Sequence, residues 1–137
     1  MTTPTPRPHR PHAPDPSEPP ADEGLWELDL WNGSVLYSEW FRRRLQWPPH
    51  TTHRRLEDLR PNLAPGAWES LLHGIRAHLE RQEPLDLTIG VELYGHSEIW
   101  RVRGAVERTA SGQPVYLAGS MKDISAQSAP AEPSTEP

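Results

Sequence analysis

LDLTIGVELYGHSEIWRVRGAVERTASGQPVYLAGSMKDIS, residues 85–125, decides how this chain folds. Leu85, Leu87, Ile89, Val91 and Leu93 alternate without a break against Asp86, Thr88, Gly90 and Glu92, the period of a strand with one buried face. Tyr94-Gly95-His96-Ser97 reads as a turn. Beyond it Trp100, Val102, Gly104 and Val106 share one face, with Arg101, Arg103 and Glu107 on the other. Ser111-Gly112-Gln113-Pro114 is a second turn. A third strand follows, in which Val115, Leu117, Gly119 and Met121 face one way and Tyr116, Ala118, Ser120 and Lys122 the other. Connections this short leave only antiparallel pairing.

Working outward, the stretch before these strands supplies what must cover them. From Pro65 to about Gln82 the residues Trp68, Leu71, Leu72, Ile75 and Leu79 recur at helical spacing and predict an amphipathic helix. His73 falls on its polar face, and His78 lies at the margin of the apolar stripe. Further upstream, Trp26, Leu28 and Leu30 alternate with Glu27 and Asp29, and Asn32-Gly33 then Val35-Leu36-Tyr37 complete a hairpin. Ser38 can cap a short helix running from Glu39 to about Gln46, with Phe41 and Leu45 turned inward. Arg42, Arg43 and Arg44 then read as a solvated face. Pro48-Pro49 ends that helix, and residues 50–64 are irregular, with one helical turn around Leu56–Leu59. Two strands, short helices, one longer helix and three strands predict an α+β domain: a five-stranded antiparallel sheet with the helices on one face. The other face carries scattered apolar residues such as Leu25, Ile99 and Tyr116, which points to a partner or dimer surface.

Composition narrows the chemistry. The 137 residues have room for one domain and contain no cysteine, so a disulfide, a thiolate nucleophile and a cysteine-ligated metal are all excluded. Residues 24–125 carry twelve Lys/Arg and thirteen Asp/Glu, close to neutral, which gives no footprint for nucleic acid. Eight of the seventeen prolines fall in the first twenty residues. Residues 1–23 therefore read as a disordered proline-rich tail, 24–125 as the domain, and 126–137 as a second disordered tail. No apolar run reaches the roughly 18–20 residues of a membrane span, and the amino terminus lacks an apolar signal core, so a cytoplasmic location is expected. His9 and His12 in the tail, and His50 and His53 in the irregular stretch, are too few for a convincing metal site.

Five short motifs, in order, resemble a PAS domain of the type whose second half is called the PAC motif. Gly24-Leu25-Trp26-Glu27-Leu28-Asp29 resembles the family's G-x-W-x-W-D opening; Tyr37-Ser38, then Phe41 and Leu45, resemble its strand-to-helix step. Trp100 after the Gly95 turn resembles the aromatic that follows the family's D-G turn. Gly112-Gln113-Pro114-Val115 and Gly119 through Lys122-Asp123-Ile124-Ser125 resemble its G-x-P and G-x-x-x-D-I-[ST] ending. The chain departs from the pattern at Arg60-Pro61-Asn62-Leu63, where the family often has H-P-D-D, and at Tyr94-Gly95, in place of the D-G turn.

The resemblance implies a sensory or interaction module of intracellular signalling, with a ligand pocket between sheet and helices. Phe41, Leu72, Ile75, Ile89, Trp100 and Leu117 are the candidates to line it, and Asp123, Ile124 and Ser125 form the exit through which such domains pass a signal on. No resident cofactor is the simplest expectation. A small organic ligand is the alternative, as is haem, for which His78 is the candidate axial ligand; a cysteinyl-flavin photosensor is excluded. Only twelve residues follow Ser125, so the chain is expected to act through a separate effector, as a homodimer or with a signalling protein, or to be a remnant of a larger sensor. A non-sensing dimerisation or scaffold module is the competing reading. Catalysis is not expected, because alternation turns Glu92 outward and His96 belongs to a turn.

Overall fold

The computed structural model describes residues 23–49 and 54–128; of the expected tails 1–23 and 126–137, Glu23 joins the first strand and 126–128 a helical turn, and the rest, with the His50/His53 pair, lies outside the described residues. One antiparallel sheet organises the described residues. Its strands are β1 (Glu23–Asp29), β2 (Ser34–Tyr37), β3 (Arg54–Arg55), β4 (Leu85–Leu93), β5 (His96–Arg108) and β6 (Pro114–Asp123), in the spatial order β3-β2-β1-β6-β5-β4. The chain thus pairs its first strand with its last, Trp26 opposite Gly119 and Leu28 opposite Leu117. The sheet has six strands rather than five; β3 is two residues long and leaves no periodicity to read.

The helices are α1 (Glu39–Leu45), a 3-10 segment (Leu56–Asn62), α2 (Ala67–Arg81) and the single turn α3 (Ser125–Ser128). α1 and α2 meet the inner sheet face, where Trp26, Phe41, Leu71, Ile89, Trp100, Val102, Leu117 and Met121 form the core. Several local expectations change. The Ser38 hydroxyl makes no cap for α1; it accepts the Leu25 amide at 2.9 Å and extends the β1–β2 pairing instead. α2 starts two residues after Pro65, behind Gly66 at φ 85°. The β4–β5 turn is Tyr94-Gly95 alone, so His96 and Ser97 belong to β5. Gly95 at φ 93° supplies the left-handed conformation a two-residue hairpin needs.

Close approach is purchased with glycine at one place above all. A Cβ on Gly119 would lie 1.8 Å from the Arg103 carbonyl oxygen, and on Gly104, its partner in β5, 3.1 Å from the Trp26 ring. The bare Cα of Gly104 leaves room for the Trp26 ring, and that of Gly119 for the Arg103 backbone.

Candidate functional site

The inner face between sheet and helices is built of aromatic rings. Trp100 is fully buried, with the Trp40 ring 4.7 Å and the Phe41 ring 6.0 Å from its own. Tyr37 stands 4.9 Å from both Phe41 and Trp47. Its hydroxyl donates to the Arg55 carbonyl at 3.1 Å, and burial, reinforced by the Asp58 charge, pushes its pKa far above the ordinary tyrosine value. These ring contacts lie between the sheet and the helices, where the sequence places a pocket.

Of the six residues expected to line it, Phe41, Ile75, Ile89, Trp100 and Leu117 are buried on this face. Leu72 is not: it is 37% exposed. α2 approaches the sheet through its smallest side chain, Gly74, where a Cβ would lie 2.5 Å from Leu87. That contact centres the buried face near Leu71, Gly74 and Ile75, and Leu72, one residue's rotation further round, is left at the rim.

His78 has a different task from the expected one. Its Nδ1 lies 2.7 Å from the Glu83 carbonyl and its Nε2 accepts the Val106 amide at 3.1 Å. The tautomer with the proton on Nδ1 satisfies both contacts, and the ring ties the end of α2 to β5. With both nitrogens engaged in these contacts, His78 presents no free lone pair to a haem iron.

The polar chemistry of the inner face gathers at one end of the sheet, around a carboxylate the sequence motifs do not mark. Glu98 is only 8% exposed. Its Oε1 accepts the Trp100 indole N–H at 2.9 Å, and its Oε2 lies 2.8 Å from His96 Nε2. Arg44 reaches the same carboxylate at 3.6 Å and Asp123 at 3.6 Å, with its guanidinium 4.8 Å from the Trp40 ring centre. The Arg run on α1 is therefore not one solvated face: Arg42 pairs with Glu39, whereas Arg44 turns inward. Strand alternation does point to Glu98, which shares the inward parity of Trp100 and Val102.

This cluster reaches the expected exit motif. Asp123 Oδ1 accepts both the amide and the hydroxyl of Ser125, at 2.9 and 2.6 Å. The Ser125 oxygen accepts the Ile99 amide at 2.9 Å, and the Ile124 amide donates to the Ile99 carbonyl at 2.9 Å. Asp123, Ile124 and Ser125 are thus fastened to β5 beside Glu98. On the outer face, Ile99 itself is 39% exposed, with Leu25 at 50% and Leu36 at 46%.

Solved sensory domains superpose on this arrangement of sheet and helices. The fold is the PAS fold. A sensory box histidine kinase/response regulator from Burkholderia thailandensis superposes with a TM-score of 0.64 at 21% identity, over 79% of this chain and 81% of that one. The amino-terminal domain of a diguanylate cyclase with a PAS/PAC sensor from Marinobacter aquaeolei gives 0.67 at 20% identity, over 78% and 99%. A light-oxygen-voltage domain studied with a flavin analogue gives 0.59 at 16% identity, over 78% and 80%. No family model matches the sequence, and no curated protein matches it in sequence. Among the described residues no helix is long and apolar enough to cross a membrane, and no group of three or more His, Asp or Glu could hold a metal ion.

Proposed function

We propose that this chain is a sensory or interaction module of intracellular signalling that works through a separate effector chain and pairs with a second copy of itself through the outer face of its sheet. The observation that carries the proposal is the double position of Ile99. Its side chain belongs to the exposed apolar set of the outer face, with Leu25 and Leu36, while its backbone holds Ile124 and Ser125 of the exit. A partner that presses on the outer face bears directly on the segment through which PAS-type domains pass signals. Packing of the inner face by Trp40, Phe41 and Trp100 favours a contact-driven module over one built around a bulky cofactor. A small ligand would shift the domain only by its difference in affinity for the two arrangements.

Catalysis finds no support in the one histidine–carboxylate contact of the cluster. Glu98 is already engaged by Trp100 and Arg44 as well as His96, so it orders the core rather than orienting a base. The test is reversible self-association in solution and its loss when glutamate replaces Leu25 and Leu36.

A further inference from the structure

The outward edge of β4 is only half used. Ala64 donates its amide to the Gly90 carbonyl at 2.9 Å, Leu63 bridges Val91, and the Asn62 side chain donates to the Glu92 carbonyl at 2.9 Å. After Ala64 the chain turns away into α2. Since the Gly90 carbonyl points outward and strands alternate with period two, the backbone groups of Thr88 and Asp86 point outward as well. Among the described residues nothing pairs with them. Leu85 to Ile89 is thus an edge about 16 Å long that no described residue pairs with.

Beside it runs an open groove of about 570 Å³ between that edge and α2. Its floor is small and apolar, made by Gly74, Ala77 and Leu87, and Ser70 and His73 line the helix side. Three carboxylates, Glu69, Glu83 and Asp86, line it, and no lysine or arginine does. Arg81 pairs with Glu83 and Arg101 with Asp86 in a bidentate contact, while Glu69 makes no ion pair among the described residues. A strand edge flanked by a helix, with a shallow floor for alternate side chains, is the geometry by which an extended peptide adds to a sheet.

We infer that this edge docks an extended, basic segment of another protein, which pairs with Asp86 and Thr88 and directs a lysine or arginine toward Glu69. The segment continues the pairing begun by residues 62–64. This surface is separate from the outer face proposed above, so the two stand or fall independently.

The experiment follows amide signals of the full chain by NMR while a short synthetic peptide of alternating valine and lysine is added. The Asp86 and Thr88 amides move and saturate, with Ser70 and Gly74 beside them, and the same peptide with glutamate in place of lysine does not bind. Thr88→Pro removes an outward donor while leaving the β4–β5 pairing intact, and it weakens binding about tenfold or more. Glu69→Gln, at an exposed helix position, weakens it several-fold. The inference is overturned by unmoved Asp86 and Thr88 amides at peptide saturation, by a folded Thr88→Pro chain that binds as well as the parent, or by equal binding of the glutamate peptide. It is also overturned if Arg7→Ala with Arg10→Ala moves these amides without peptide, which would make the occupant this chain's own amino-terminal segment.

Discussion

The two faces of the sheet are treated differently. On the inner face, Trp100, Phe41, Val102, Leu117 and Met121 are almost wholly removed from water, and the polar groups at one end are tied into a cluster. On the outer face, Leu25, Leu36 and Ile99 remain 39–50% exposed. Phe41 comes from α1, but within the strands only parity separates inward from outward residues, as Trp100 and Ile99 of β5 show. The difference teaches that the inner face supplies stability and anchors Asp123 to Ser125, whereas the outer face leaves apolar surface exposed.

The largest expected effect breaks the inner face. Trp100→Ala removes the ring at the centre of the aromatic group and costs about 3–5 kcal/mol, read by chemical denaturation. Next comes the polar cluster. Glu98→Leu leaves the Trp100 indole N–H and Arg44 facing an apolar side chain, and costs about 2–4 kcal/mol. Glu98→Gln keeps an acceptor for Trp100 and costs less. Equal losses for the two substitutions would show that packing at this end, not the hydrogen bond and charge, is what matters.

A smaller effect sharpens the contrast on the outer face. Asp86 holds Arg101 in a bidentate pair, and that hydrogen bond lowers the Asp86 pKa below the ordinary carboxylate value. A depressed folded-state pKa means that this contribution is complete above the unfolded value and disappears as pH falls through the folded one. The stability difference between the parent and Asp86→Asn is therefore small and constant near neutrality and shrinks in acid. A difference that grows as pH falls would reverse the assigned sign.

Most of the fold is legible in the sequence, because β4, β5 and β6 alternate over long runs and turn at glycine. Leu85 to Leu93 begins and ends where alternation begins and ends. What is not legible has physical reasons. β3 is too short to show a period. Leu72 fits the helical stripe, but the small side chain of Gly74 sets the centre of the contact, and a stripe drawn through large residues misses it. Ser38 has the residue type of a cap, but the β1 amide competes for its hydroxyl. In the candidate site, the motifs lead to Trp100 and to Asp123-Ile124-Ser125, but not to what joins them. Three consecutive arginines look alike in sequence, and only the position of α1 selects Arg44 for the interior. His78 stands at the helix margin as expected, but its use depends on backbone groups of Glu83 and Val106 that side-chain patterns do not reveal.

Sedimentation velocity over a wide concentration range tests the central claim, that the outer face is the contact face. The parent chain is predicted to form a reversible dimer, and Leu25→Glu with Leu36→Glu is predicted to be monomeric with its melting temperature nearly unchanged, as expected for exposed positions. A parent that stays monomeric at its highest soluble concentration, or a dimer that survives both substitutions, would contradict it.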